Sequence, residues 1–218
     1  MHAKLRSRIV KPNHDIIEVI DQALAALDNG ELVVYPTETF YALGADAASP
    51  RAIERLFAIK RREPDKPVAL IVTDLAMARQ MVAEIPASAL RLAQTFWPGP
   101  LTMILPARPG LDPALLGNDG GVGLRVSSHP IAHALVRRLG RPLTATSANL
   151  AGEPPADSIE QARATFGNKV AIYLEGGRLG LTPASTVIAF DGSQPRVLRA
   201  GPISEGEIAA ALRSEAAP

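Results

Sequence analysis

Between Leu32 and Val72 short apolar runs alternate with polar turns around one amphipathic helix, and that alternation restricts the chain to layers of strands and helices. Leu32-Val33-Val34-Tyr35 has strand composition, and Pro36 lacks the backbone donor that a continuing central strand needs. Thr37, Glu38 and Thr39 follow, three polar side chains just past a strand end, which is where open α/β sheets bind ligands. Ser49-Pro50 then starts a helix, with serine as cap and proline at its first position. Ile53, Leu56, Phe57 and Lys60 recur at helical spacing. Behind that helix come Lys60, Arg61, Arg62 and Lys66-Pro67, ahead of a buried strand expected at Val68–Val72. The cations suit an anionic ligand, a phosphate or a carboxylate. On this stretch alone the ordinary reading is a solvated helix end whose positive charges offset the helix dipole.

The same plan repeats downstream. A helix is expected from Asn13 to about Asn29, ended by Gly30, and a short one capped by Thr73 or Asp74. Two more are expected, from Pro86 to Phe96 and from His129-Pro130 to Leu139. Strands are expected at Leu101–Leu105, Val122–Val126, Pro142–Thr146, Val170–Leu174, Ser185–Phe190 and Arg196–Arg199. Ser158 with Gln161 and Ser204 with Glu207 are capping boxes. Residues 107–121 form a long Pro/Gly/Asp-rich loop. Strands that alternate with helices and then crowd together predict an α/β fold with a mixed sheet, as one domain over residues 1–213, with residues 214–218 a disordered tail.

Composition excludes several function classes. Lys+Arg at 23 against Asp+Glu at 22 leaves a net charge of +1, so there is no global basic field of the kind that alone argues for nucleic acid. Aromatic residues at 4% leave few stacking platforms. With no cysteine there is no thiol nucleophile and no Cys-based metal site. Neither a signal peptide nor a stretch of membrane-spanning length is present, so a soluble, cytoplasmic protein with no membrane partner is expected.

Several strands end in similar polar groups. Arg125 and Arg199 lie inside or at the end of apolar strands, where an unpaired charge is costly. Each therefore either pairs with a nearby carboxylate or binds a ligand. Ser147 and Asn149 are two residues apart after a strand, which puts both on one face in extended backbone; a plain Ser or Asx turn is the alternative. Ser185 opens another strand. No P-loop, G-x-G-x-x-G, G-x-S-x-G or H-E-x-x-H pattern occurs. His129 and His133 have metal-compatible spacing, but capping or surface roles fit better and no metal site is assigned. Positive charge and hydroxyls without a nucleophile suit transfer at phosphorus, in which the substrate brings its own attacking group.

These residues lie in stretches that resemble the Sua5/YrdC/YciO family, specifically its threonylcarbamoyl-AMP synthases. The stretches are YPTETFYALG (Tyr35–Gly44), KRREPDKP (Lys60–Pro67), WPGPLT (Trp97–Thr102), GLRV (Gly123–Val126), TSANLAGEPP (Thr146–Pro155) and PASTVIAF (Pro183–Phe190). Lys60/Arg62 and Ser147/Asn149 match the family's K-x-R and S-x-N signature. The resemblance implies a YrdC-like twisted sheet flanked by helices around a large concave basic cleft. It implies synthesis of threonylcarbamoyl-AMP and pyrophosphate from L-threonine, bicarbonate and ATP with Mg2+, for t6A modification of ANN-decoding tRNAs. Possible further partners are tRNA itself and the complex that transfers the group. By resemblance Lys60, Arg62 and Lys66 are catalytic and hold ATP together with Ser147, Asn149, Pro155 and Arg199, while Thr37, Arg125, Ala145 and Ser185 hold threonine. Backbone near Gly121 is placed beside the ligands.

The chain departs from the family pattern in places. A histidine of the long form is missing near Ile71, Ala42 replaces a usual glycine, and the sequence corresponds to the short form without a second Sua5-type domain. Two other readings compete: an RNA-binding module, and a YciO-like paralogue of different activity.

Overall fold

The computed structural model describes residues 7–11, 16–61, 68–180 and 182–213. The expected cap Asn13, the site residues Arg62 and Lys66, and the 214–218 tail lie outside them. The strands are β1 (Arg8–Val10), β2 (Val33–Pro36), β3 (Tyr41–Gly44), β4 (Leu70–Ile71), β5 (Leu101–Pro106), β6 (Gly121–Arg125), β7 (Leu143–Thr144), β8 (Thr146–Ser147), β9 (Ile172–Leu174), β10 (Thr186–Asp191) and β11 (Gln194–Arg199). The helices are α1 (Ile16–Asp28), α2 (Pro50–Lys60), α3 (Leu75–Met81), α4 (Ala87–Phe96), α5 (Pro130–Leu139), α6 (Ile159–Phe166) and α7 (Glu205–Arg213).

Local chemistry sets the helix ends. Ser49 Oγ accepts from the Ala52 N–H (3.3 Å), and Asp74, not Thr73, caps α3 by accepting from the Met77 N–H (2.8 Å). The Ser204/Glu207 box closes in both directions, Ser204 N–H to Glu207 Oε2 at 2.8 Å and Glu207 N–H to Ser204 Oγ at 3.2 Å. The second box closes differently: Ser158 Oγ accepts from the Gln161 N–H, but Gln161 Oε1 accepts from Asp157, one residue before the cap. α2 stops at Lys60 because Arg61 adopts a left-handed conformation (φ 51°). Lys60 thereby stays on the buried side and Arg61 is exposed.

The fold is mixed α/β, and the strands form two mixed sheets where the sequence suggests one. A five-stranded sheet has the order β1-β9-β2-β3-β8 and a six-stranded sheet the order β11-β10-β5-β6-β4-β7. The difference arises at one point. The expected strand Pro142–Thr146 divides at Ala145, so β7 pairs antiparallel with β4 and β8 pairs antiparallel with β3. Competing partners on both sides enforce the switch. Thr144 donates its N–H to the Ala45 carbonyl (3.0 Å) and its Oγ1 accepts from the Ala45 N–H (2.8 Å). Ala145 donates to the Ala69 carbonyl, 2.7 Å away, just before β4.

Period-two alternation distributes β2 between two apolar layers. Val33 and Tyr35 pack with α1 and α5, through Ile20, Leu27, Leu135 and Val136. Leu32 and Val34 pack into the layer that joins the sheets, with Leu43, Leu70, Met103 and Leu124. Ala42 stands across from Tyr35 in the first of these layers and is 1% exposed, so its methyl is accommodated. The Tyr35 hydroxyl crosses between sheets to donate to the Thr144 carbonyl (2.8 Å), and burial pushes its pKa up. No helix among the described residues is long and apolar enough to cross a membrane.

Two predictions follow from these contacts. Tyr35→Phe removes the donor to a buried carbonyl and should cost about 1–3 kcal/mol in urea unfolding; an unchanged midpoint would show that the bond is not needed. His129 Nδ1 caps α5 by accepting from the Ile131 N–H (3.2 Å), which a protonated ring cannot do, and burial lowers its pKa from 6.5. Stability from this group is therefore complete above pH 6.5 and declines as acid charges the unfolded chain first. His129→Asn, which retains a cap, should remove that share of the pH dependence, as read by denaturation midpoints on either side of this pH.

Candidate active site

The two sheets meet around a cavity of about 350 Å³. Alternate residues of neighbouring strands face it: Thr102 and Ile104 from β5, and Gly121, Gly123 and Arg125 from β6. Ala145 and Ser147 contribute from the sheet switch, Ser185 and Val187 from the start of β10, and Leu198 and Arg199 from the end of β11. The glycines hold the floor low. A Cβ on Gly121 would lie 2.6 Å from Ile104 Cγ2, and one on Gly123 3.4 Å from Thr102 Cγ2. Gly201 serves the next strand differently, because a Cβ there would lie 2.4 Å from both the Ala184 carbonyl oxygen and the Thr186 nitrogen. The last strand can press against the Ser185 backbone only with glycine at this position.

Arg125 faces both a carboxylate and the cavity. It lines the cavity, and its Nη1 donates to Thr39 Oγ1 (3.3 Å) and lies 3.7 Å from Glu38 Oε1. Glu38 Oε2 accepts from the Ser127 hydroxyl, while Oε1 is buried without a hydrogen-bond donor. Both contacts of the guanidinium are long for charge-assisted bonds, which leaves donors available to a ligand. Arg199 donates from Nε and Nη2 to the Ser185 carbonyl (3.1 and 2.9 Å) and from Nη2 to Ser185 Oγ (3.1 Å). Among the described residues no carboxylate lies within salt-bridge distance of it. Burial, and then the nearby Arg125 charge, lower its pKa. Two like charges beside one hollow favour an anion there.

The Lys60 and S-x-N residues form one local unit. Lys60 is 2% exposed, and its ammonium donates to the Ser147 carbonyl, the Asn149 carbonyl (3.0 Å) and Asn149 Oδ1 (3.3 Å). Asn149 Oδ1 also accepts from the Ser147 hydroxyl, and its Nδ2 donates to the Glu153 carbonyl. Of the S-x-N pair, Ser147 lines the cavity, whereas the Asn149 side chain is used within the segment, bonded to Ser147, Lys60 and Glu153.

The expected site residues divide accordingly. Arg125, Ala145, Ser147, Ser185 and Arg199 line the cavity, as does Gly121. Lys60 and Asn149 stand behind its wall. Thr37 is fully buried in the β2–β3 turn, where its Oγ1 donates to the Phe40 carbonyl (2.7 Å) and accepts from the Thr39 N–H (3.2 Å). Its neighbour Thr39 reaches Arg125. Pro155 is exposed in the loop after β8 and is not part of the lining. The residues expected to make the cleft strongly basic, Arg62 and Lys66, lie outside the described residues. The sequence reading missed Thr102 and Asp119, both in the lining. The signal for Thr102 is a lone hydroxyl in the apolar run LTMIL, two positions from inward-facing Ile104. Asp119 sits in a polar loop and carries no comparable mark. No group of three or more His, Asp or Glu able to hold a metal ion occurs among the described residues.

The glycine environments rank three substitutions. Gly201→Ala meets backbone and should lower Tm most. Gly121→Ala meets the Ile104 methyl at 2.6 Å and Asp119 Oδ1 at 3.2 Å, both side-chain atoms that can shift, and should cost less. Gly123→Ala fits at ordinary contact distance and should fold normally while narrowing the cavity. A thermal-shift series in any other order would contradict the described packing.

Comparison with known proteins gives a consistent picture. The family model Sua5_yciO_yrdC, described as "Telomere recombination", matches residues 25–201. A Mycobacterium tuberculosis protein is 39% identical over 198 residues, 91% of this chain and 91% of its own. The threonylcarbamoyl-AMP synthase of Vibrio cholerae is 37% identical over 188 residues, 85% of this chain and 99% of its own. Among solved structures, P. abyssi Sua5 complexed with L-threonine has a TM-score of 0.87 at 32% identity, over 93% of this chain and 59% of that one. Escherichia coli YciO has a TM-score of 0.80 at 30% identity, over 90% and 96%.

Proposed function

Because the chain belongs to the Sua5/YciO/YrdC family, we propose that it is a threonylcarbamoyl-AMP synthase, a nucleotidyltransferase acting on L-threonine, bicarbonate and ATP. The observation that carries this reading is the pair of guanidiniums, Arg125 and Arg199, lining one hydroxyl-bearing cavity, where among the described residues only Arg125 has a carboxylate within 4 Å. Such a site asks for a ligand bearing more than one anionic group. An amino acid placed beside a nucleotide triphosphate meets that demand.

The chemistry needs no nucleophile from the protein. The threonine amine takes up bicarbonate with loss of water to give a carbamate. A carbamate oxygen then attacks the ATP α-phosphorus, the bond to the bridging oxygen breaks, and pyrophosphate leaves with that electron pair. The chain's task is to orient the reactants and offset charge. Arg125 would grip the threonine carboxylate as a fork, braced from behind by Glu38 and Thr39. Ser185 and the Ala145 backbone would lie along the amino acid, with Thr37 shaping the turn. Arg199 and Ser147 would face the nucleotide, with Pro155 at the rim, and Lys60 with Asn149 would hold the Ser147 segment in place. Arg62 and Lys66 would offset the triphosphate charge. Mg2+ would enter on the phosphate oxygens with its own waters, since the described walls offer Asp119 and no acidic cluster. The product would supply t6A modification of ANN-decoding tRNAs, with the transfer left to a separate complex.

Pyrophosphate release is the test. It should require threonine and bicarbonate together, and release without either would overturn the proposal. Arg125→Lys should raise the threonine KM roughly tenfold or more, with a smaller change for ATP. ATP binding with no turnover on threonine would point instead to a YciO-like activity.

A further inference from the structure

Thr102 and Ser185 form a hydroxyl pair whose proton count does not close within the protein. They share a hydrogen bond of 2.8 Å, and both residues are 4% exposed. Two hydroxyls carry two protons. One proton lies in the shared bond, whichever oxygen donates it. Arg199 Nη2 donates to Ser185 Oγ at 3.1 Å, so that oxygen is already engaged as an acceptor and gives nothing to the arginine. Among the described residues neither hydroxyl donates to any other oxygen. One proton therefore remains, on a buried pair whose members both line the cavity. An unsatisfied buried donor is costly, and the cavity that both residues line has room for the acceptor.

We infer that Thr102 is a specificity-determining residue, which together with Ser185 donates one hydrogen bond to an oxygen of the amino-acid ligand. This rests on the activity proposed above. The pair also touches Arg199, assigned to the nucleotide, so it ties the two ligands together physically. If Ser185 donates to Thr102, the free proton is on Thr102; if the bond reverses, it is on Ser185. An anion that draws Arg199 away from Ser185 Oγ frees a lone pair there and lets the pair reorient toward the amino acid. Occupancy of one ligand thereby alters the donor presented to the other, and the coupling must be reciprocal.

The arrangement separates polarity from shape. The Thr102 hydroxyl faces Ser185, and its methyl lies on the Gly123 side, 3.4 Å from where a Cβ on Gly123 would stand. Thr102→Val keeps the shape and leaves the pair a single proton, on Ser185 Oγ, so a ligand oxygen seated against Thr102 loses its donor. Thr102→Ser keeps the proton and loses the methyl. Calorimetric titration of each full-length variant with L-threonine, with and without a non-hydrolysable ATP analogue, distinguishes the roles. The inference expects Thr102→Val to weaken threonine binding about fivefold or more and to reduce the nucleotide-dependent gain in affinity, at near-normal Tm. Thr102→Ser should bind within about twofold of the parent chain. The opposite order, valine tolerated and serine impaired, makes Thr102 a packing residue and overturns the inference while leaving the proposed activity standing. A parent chain that binds ATP but no threonine overturns both.

Discussion

The structure turns on the change of sheet at Ala145. Thr144 is bonded through its N–H and its hydroxyl to Ala45, and the next residue donates to Ala69 across the other ladder. Tyr35 secures the same point from below through the Thr144 carbonyl. With these partners satisfied, a segment that could have been one strand serves as the last strand of two sheets. The cavity exists because the ladders diverge there, and Ser147 reaches it because the chain has already crossed over.

The charged groups are arranged around that opening with unequal compensation. The Lys60 ammonium donates to oxygens of Ser147 and Asn149 and so holds that segment in place. Arg125 has Glu38 at a loose distance, with Ser127 fixing the far side of that carboxylate. Arg199 has a carbonyl and a hydroxyl. At the cavity Arg125 thus has a carboxylate at 3.7 Å, whereas Arg199 has only neutral acceptors among the described residues, which leaves positive charge for an anion to offset. Hydroxyls at Ser147, Thr102 and Ser185 mark the same boundary.

Much of this was legible in the sequence, for identifiable reasons. Strong local signals such as Ser49-Pro50, His129-Pro130 and Ser204/Glu207 located helix starts, because capping chemistry is local. Arginines in apolar strands drew attention to Arg125 and Arg199, because buried charge is costly and so rarely incidental. The division at Ala145 was not legible, since both halves have strand composition and the break is imposed by partners distant in the chain. Thr102 was overlooked because a threonine suits a strand on propensity alone. Its neighbour Ser185 comes from the far end of the sequence. Lys60, by contrast, was noticed as one of a basic run, and only tertiary structure distinguishes the enclosed ammonium from exposed Arg61.

The spacer between the two edge strands has no slack. β7 and β8 are two residues each, so neither can absorb an insertion by fraying and still pair. Adding or deleting one residue at Ala145 would invert the orientation of every side chain that follows until the next loop, turning Ser147 out of the cavity and drawing its turn off the Lys60 ammonium. This short stretch should therefore tolerate exchange of side chains far better than any change of length.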